Sequence, residues 1–175
     1  PDLHLIDSLN LSTGIGLLAL KAADLRDAGS APYRIVEEIT AMRPRVKTAF
    51  VIDTMDYLYK GGRCTGLQAF VGSMLKIHPI IHVQPDGTLG VLDKVRGSRK
   101  KALDILLSKF AEDLTQVDLT RVFVTHTICP DDASYLVQEI KQLAPVKEVY
   151  ITEAGATIAS HCGPDTIGVL YITNH

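Results

Sequence analysis

Gln84-Pro85-Asp86-Gly87 stands between two apolar segments, 79–83 and 89–95, and it limits the fold more than any other stretch. Proline presets the backbone for a turn, and Asp-Gly tolerates the left-handed conformation that tight hairpins need. The two segments are expected to pair antiparallel, so the sheet they join is not purely parallel. Elsewhere short apolar runs at 48–52, 122–125, 148–152 and 167–172 read as buried strands, separated by stretches of helical period. A strand at 4–6, helices at 14–28 and 32–42 and the strand at 48–52 look like half of a parallel unit. The class is α/β with a mixed sheet.

Local signals set the helix limits. Ser12 and Thr13 cap the first helix, Gly29 stops it, and Ile15, Leu18, Ala22 and Leu25 form its inward stripe. Gly14 and Gly16 weaken its first turn, which fits a close neighbour there. Pro32 is the first residue of a helix that Arg43-Pro44 ends. Asp53-Thr54 caps a short helix carrying Tyr57, Leu58 and Tyr59. A helical stripe at Leu67, Phe70, Val71 and Met74 follows. Ser98 caps a helix running to about 114 with Ala102, Ile105, Leu106 and Phe110 inward, and Pro130 opens another with Leu136, Val137, Ile140 and Leu143 inward. The change of pattern places a domain division near Asp53.

Composition narrows the function classes. The 175 residues are 46% hydrophobic and 22% charged with a net charge of −2, which excludes a dominantly basic nucleic-acid surface. The longest apolar runs, 15–20 and 77–83, are too short to span a bilayer and no basic-then-apolar leader opens the chain, so a cytoplasmic protein is expected. The three cysteines have no framework spacing and are expected to be reduced thiols.

Two stretches carry chemistry. In Lys60-Gly61-Gly62-Arg63-Cys64-Thr65-Gly66 the paired glycines expose backbone, and the arginine fork beside them suits a carboxylate or phosphate. Thr65 caps the next helix, whose first amides point toward the same anion. The plainer alternative is a glycine helix stop followed by a solvated arginine. The second stretch, Ser160-His161-Cys162-Gly163-Pro164-Asp165, puts a histidine on a turn. Arg96, Arg99, Lys100 and Lys101 crowd a helix start where the dipole disfavours cations; they form either a solvated basic face or a docking patch for an acidic partner or anionic lipid. His126, Cys129, His161 and Cys162 lack zinc-site spacing, and no phosphate-binding or dinucleotide fingerprint is present. Cys129 before a helix start has the setting of a thiol with a lowered pKa, which leaves a small cysteine/histidine hydrolase as an alternative. A ligand-free interaction fragment is another.

Read together, K-G-G-R at 60–63, L-K-I-H-P-I-I at 75–81, D-G at 86–87 and S-H-C-G-P at 160–164, after D-S at 7–8 and G-I-G at 14–16, resemble the DegV family of bacterial fatty-acid-binding proteins. The resemblance runs through nearly the whole chain. It implies residues 1–53 as the C-terminal part of a Rossmann-like three-layer domain and 54–175 as a two-layer α/β domain, with an acyl chain buried between the two. It implies no catalysis by the chain alone. The expected role is to present a long-chain fatty acid to a separate fatty acid kinase subunit, with no cofactor and with transient contact at a membrane surface. By position, Arg63 and His161 are expected at the carboxylate, Gly61, Gly62, Thr65 and Gly163 in the head-group loops, and Phe70, Met74 and Ile77 along the acyl chain. Arg96 and Arg99 are expected at the partner surface. His78, Cys162 and Asp165 depart from the lysine, threonine and glycine common in relatives.

Overall fold

The computed structural model describes residues 3–63 and 77–174. In order come α1 (Thr13–Asp27), α2 (Pro32–Met42), a 3-10 turn (Arg43–Arg45), β1 (Val46–Val51), α3 (Asp56–Lys60), β2 (Ile77–Val83) and β3 (Leu89–Arg96). They are followed by α4 (Arg99–Glu112), β4 (Val117–His126), α5 (Pro130–Leu143), β5 (Glu148–Glu153), α6 (Ala156–Cys162) and β6 (Ile167–Thr173). The strands form one mixed sheet in the order β3-β2-β1-β6-β4-β5. The Gln84–Thr88 turn closes the expected antiparallel hairpin, with Gln84 N–H donating to Thr88 O at 2.8 Å.

The alternation of side chains along β1 and β6 divides the core. Val51, Val169 and Tyr171 face α4 and α5, where they meet Leu103, Leu106, Phe110, Leu136 and Ile140. On the opposite face Val46, Leu170 and Ile172 pack under α1 and α2 through Leu17, Leu18, Ile39 and Met42. Further along that face Phe50, Ile52 and Ile81 pack with Met55, Leu58 and Cys162. Between these two clusters the face of the sheet is not filled.

Several expectations change. β1 is antiparallel to both β2 and β6, and among the described residues the one parallel pair is β4 with β5; periodicity reveals that a strand is buried but not which way it runs. Residues 4–6 form no strand, and Leu3 and Leu5 are exposed. In α1 the buried residues are Gly14, Leu17 and Leu18, while Ile15 is exposed. Ser12 makes no side-chain cap there. An added Cβ on Gly14 would lie 2.1 Å from Asn10 Oδ1, whereas Gly16 has nothing nearer than Thr13 Cβ at 3.9 Å, so only the first glycine answers a close neighbour. Leu143 is exposed at the end of α5. The helix expected at 66–76 lies outside the described residues.

Arg121 on β4 ties layers together. It bonds both carboxylate oxygens of Asp24 on α1 and, at 2.7 Å, Glu148 on β5. The Arg121 hydrogen bond holds the Asp24 carboxyl below its ordinary range. A depressed carboxyl adds stability that is fully present above the unfolded pKa, about 3.9, and lost as pH falls through the folded value. Because the pair is partly exposed, about 1 kcal/mol is at stake. We expect Arg121→Met to be less stable than the parent at pH 7 and nearly equal to it well below pH 3, as measured by urea unfolding at both pH values.

Candidate functional site

α3 and α6 are short helices lying side by side near one end of the sheet, and each is followed by a glycine. His161 lies in the last turn of α6 and not, as the flanking small residues predict, on a turn; Gly163 ends the helix with φ 81°. The His161 Nδ1 is buried and has no hydrogen-bond partner among the described residues. That atom rests on Gly61, where an added Cβ would stand 2.1 Å away. Arg63 is exposed, and its Nη1 donates to Gly61 O at 2.7 Å. Two side chains almost a hundred residues apart therefore meet on one glycine. Gly62 is exposed beside them.

Gly163 is held from two sides. A Cβ there would lie 2.4 Å from the Tyr57 ring of α3, so no larger residue fits without moving that ring. Its carbonyl accepts from Thr127 Oγ1 at 2.6 Å. Asp165 adopts φ 57°, a left-handed conformation that suits glycine and is tolerated by aspartate. No hydrogen bond or ion pair joins Asp165 to His161. His78 Nδ1 lies 3.8 Å from Asp53 Oδ1.

The gap in the sheet face is an apolar cavity of about 30 Å³ lined by Leu11, Phe50, Ile158, Cys162, Gly168 and Leu170, together with several threonines. The threonine hydroxyls are already used. Thr48 donates to Asn10 Oδ1, Thr125 bonds Thr13 and Thr152, and Thr166 donates to Cys162 O. With these hydroxyls bonded, that part of the wall does not need water; Ser12 and His126 are the other polar residues of the lining. Ser12 stands at the cavity edge with φ 50° and ψ −134°, a strained backbone of the kind that persists where surrounding packing enforces it. α6 links the cavity to the Gly61 contact, since Ile158 and Cys162 line the first and His161 makes the second. A larger groove of about 330 Å³ lies elsewhere, lined by Lys47, His82, Lys109, Glu112 and Asp113 among others. There Glu112 and Asp113 stand among the cations Arg43, Lys47 and Lys109, whereas the smaller cavity is the one walled by the helix that bears His161; at about 30 Å³ it has room for only one short stretch of an alkyl chain.

Of the remaining expected site residues, Thr65, Phe70 and Met74 lie outside the described residues. Ile77 is half-buried at the start of β2 but does not line the apolar cavity. Arg96 is exposed. Arg99 Nε bonds Asp132 Oδ2 at 2.5 Å and Lys100 pairs with Asp104, so part of the basic cluster is neutralised within the fold. Phe50, Leu170, Leu11 and Tyr57 were not expected at the site. The alternation along 46–51 marks Phe50 as inward, but nothing local says that the space before it is left open.

Thiol chemistry is not supported. Burial pushes the Cys129 thiol up, against the lowered value expected before a helix start, and pushes Cys162 up to about 11. The backbone N–H of Cys129 donates to His126 Nδ1 at 3.3 Å, so that histidine serves the turn. Among the described residues no three His, Cys, Asp or Glu side chains could jointly hold a metal ion, and no helix is long and apolar enough to cross a membrane. We expect iodoacetamide at pH 7 to leave Cys129 and Cys162 unmodified in the folded chain. Peptide mapping that found either one rapidly alkylated would reinstate a nucleophilic thiol.

The family described as "Uncharacterised protein, DegV family" matches residues 1–174. Protein DegV of Bacillus subtilis (strain 168) is 32% identical over 171 residues, which are 97% of this chain and 60% of that protein. The chain thus spans about three fifths of the length of the curated relatives it matches. A DegV family protein from Thermus thermophilus, whose structure is described as showing fatty acid binding, is 29% identical with a TM-score of 0.89 over 97% of this chain and 60% of that one. The Fatty Acid Kinase (Fak) B3 protein of Streptococcus pneumoniae, solved loaded with linoleic acid, is 27% identical with a TM-score of 0.85 over 97% of this chain and 59% of that one. The family resembled by the motifs is the family found.

Proposed function

We propose, since the chain belongs to the DegV family, that it binds a long-chain fatty acid and presents the carboxylate to a separate kinase subunit for acyl-phosphate formation. One observation carries this reading: Arg63 and His161 converge on Gly61, and the helix that bears His161 also walls the apolar cavity. A guanidinium and an imidazole N–H suit one carboxylate. The alkyl chain supplies most of the affinity, because about fourteen methylenes are worth roughly 11 kcal/mol of gross transfer at about 0.8 each. The polar pair then decides which end faces the partner.

In this reading the chain carries no catalytic group of its own, works in the cytoplasm and takes up its ligand in passing contact with a membrane surface. Arg96, exposed beside the partly neutralised basic cluster, is available to the kinase subunit. The names of the relatives support the lipid: those from Thermus thermophilus and Streptococcus pneumoniae are described with fatty acids. Native mass spectrometry with extraction of bound lipid is expected to find a long-chain fatty acid on the protein at one per chain. Protein that is recovered lipid-free and also takes up no added palmitate would defeat the proposal.

A further inference from the structure

The contacts between α3 and α6 are reciprocal. Tyr57 of α3 lies on Gly163, the glycine after α6, and His161 of α6 lies on Gly61, the glycine after α3. Each ring occupies the space that a side chain on the other helix's terminal glycine would need. The unit is tied down at both ends, by Thr127 Oγ1 on the Gly163 carbonyl and by Arg63 Nη1 on the Gly61 carbonyl. Tyr57 is thus the counterpart of His161 in a two-ring interlock, although its own hydroxyl makes no hydrogen bond among the described residues.

The interlock also sets the protonation pattern of the imidazole. Nδ1 is buried, has no hydrogen-bond partner and faces the position of a Gly61 Cβ at 2.1 Å. The hydrogen that glycine carries in place of a Cβ lies along that direction, so Nδ1 looks at a C–H group. A lone pair accepts such a contact as a weak Cα–H···N interaction, whereas an N–H would meet it hydrogen to hydrogen and be left a buried donor without an acceptor. Imidazole carries one proton when neutral, and it then belongs on Nε2. We infer that Tyr57 is a positioning residue of the head-group loops and that its reciprocal packing with His161 holds the imidazole as the Nε2–H tautomer, ready to donate to an anionic oxygen. The donor role toward a carboxylate rests on the function proposed above; the interlock and the tautomer do not.

The test is long-range proton–nitrogen NMR of the chain labelled with nitrogen-15 histidine, with His161 assigned by loss of its signals in His161→Gln. The unliganded protein is expected to show His161 with Nε2 protonated and Nδ1 bare. Tyr57→Phe keeps that pattern, because the ring and not the hydroxyl fills the space. Tyr57→Ala and Gly61→Ala are expected to give the averaged signals of a mobile imidazole. Tyr57→Ala is expected to weaken palmitate binding by about tenfold, as for loss of one hydrogen bond. A wild-type spectrum with the proton on Nδ1 overturns the inference whatever the variants do, and so does a Tyr57→Ala spectrum identical to the parent's. A chain that shows the tautomer and its dependence on Tyr57, yet never binds palmitate, leaves this inference standing and removes the fatty-acid reading instead.

Discussion

Arg63→Ala and His161→Ala are each expected to weaken binding of a long-chain fatty acid by roughly ten- to a hundredfold, equivalent to about 1.5 to 3 kcal/mol for a hydrogen bond to a charged group. Most of the burial energy of the alkyl chain survives either change, so binding is reduced and not abolished. Transfer of phosphate by the proposed kinase subunit is expected to fall further, because a carboxylate that slides by an ångström is out of line with the phosphoryl donor. The shared platform makes a sharper claim. Arg63 donates to the Gly61 carbonyl and His161 packs on the same residue, so removing one side chain frees the backbone on which the other depends. The double variant should lose less than the sum of the two singles, as contacting residues do. Titration with a fluorescent fatty acid, run beside acyl-phosphate formation with the kinase subunit, measures all four corners of the cycle. Strictly additive losses, or losses confined to folding, would assign the two residues to unrelated structural roles.

Phe110→Ala is expected to cost about 3 to 5 kcal/mol of unfolding free energy, the range for truncating a fully buried aromatic residue. Phe110 is 1% exposed and meets Tyr171 edge to face, with ring centroids 5.1 Å apart and planes at 84°. Relaxation has little room, since Tyr171 is anchored by its hydroxyl donating to Asp113 Oδ2 at 2.7 Å. A domain stability of about 5 to 15 kcal/mol makes this a loss of about a fifth or more. Urea unfolding should show a lower midpoint with the slope unchanged. A shift equivalent to less than about 1 kcal/mol would mean that α4 settles onto the sheet and closes the void, contrary to the close packing of protein interiors.

These two expectations differ in how far the sequence alone reaches them. Phe110 is legible as an inward residue because helical period and the Ser98 cap place it on the buried stripe of α4, and Ser98 Oγ does accept from Lys101 N. The limits of α2, the hairpin and the strands at 122–125, 148–152 and 167–172 are legible for the same reason: proline, Asp-Gly and alternating apolar residues act on their immediate neighbours. The motifs around Arg63 and His161 are legible as a set.

Local signals do not reach the rest. The direction of β1 depends on β2 and β6, its partners across the sheet, and no residue within 46–51 records their orientation. Ser160, Gly163 and Pro164 suggest a turn at His161, yet α6 continues through Cys162 because packing against α3 compensates for weak local propensity. The setting of Cys129 before a helix suggests an activated thiol, but burial decides its chemistry the other way. The cavity on the sheet face lies between helix pairs far apart in the chain. Tyr57 becomes a site residue only because α6 brings Gly163 beneath its ring. Composition and period marked Phe110, Leu136 and Ile140 as buried, but also Ile15 and Leu143, which are exposed, and they picked out the stretches and loops that carry Arg63 and His161. Which of those loops meet, and what space is left open beside them, was decided by tertiary packing, since it depends on pairs of residues about a hundred positions apart.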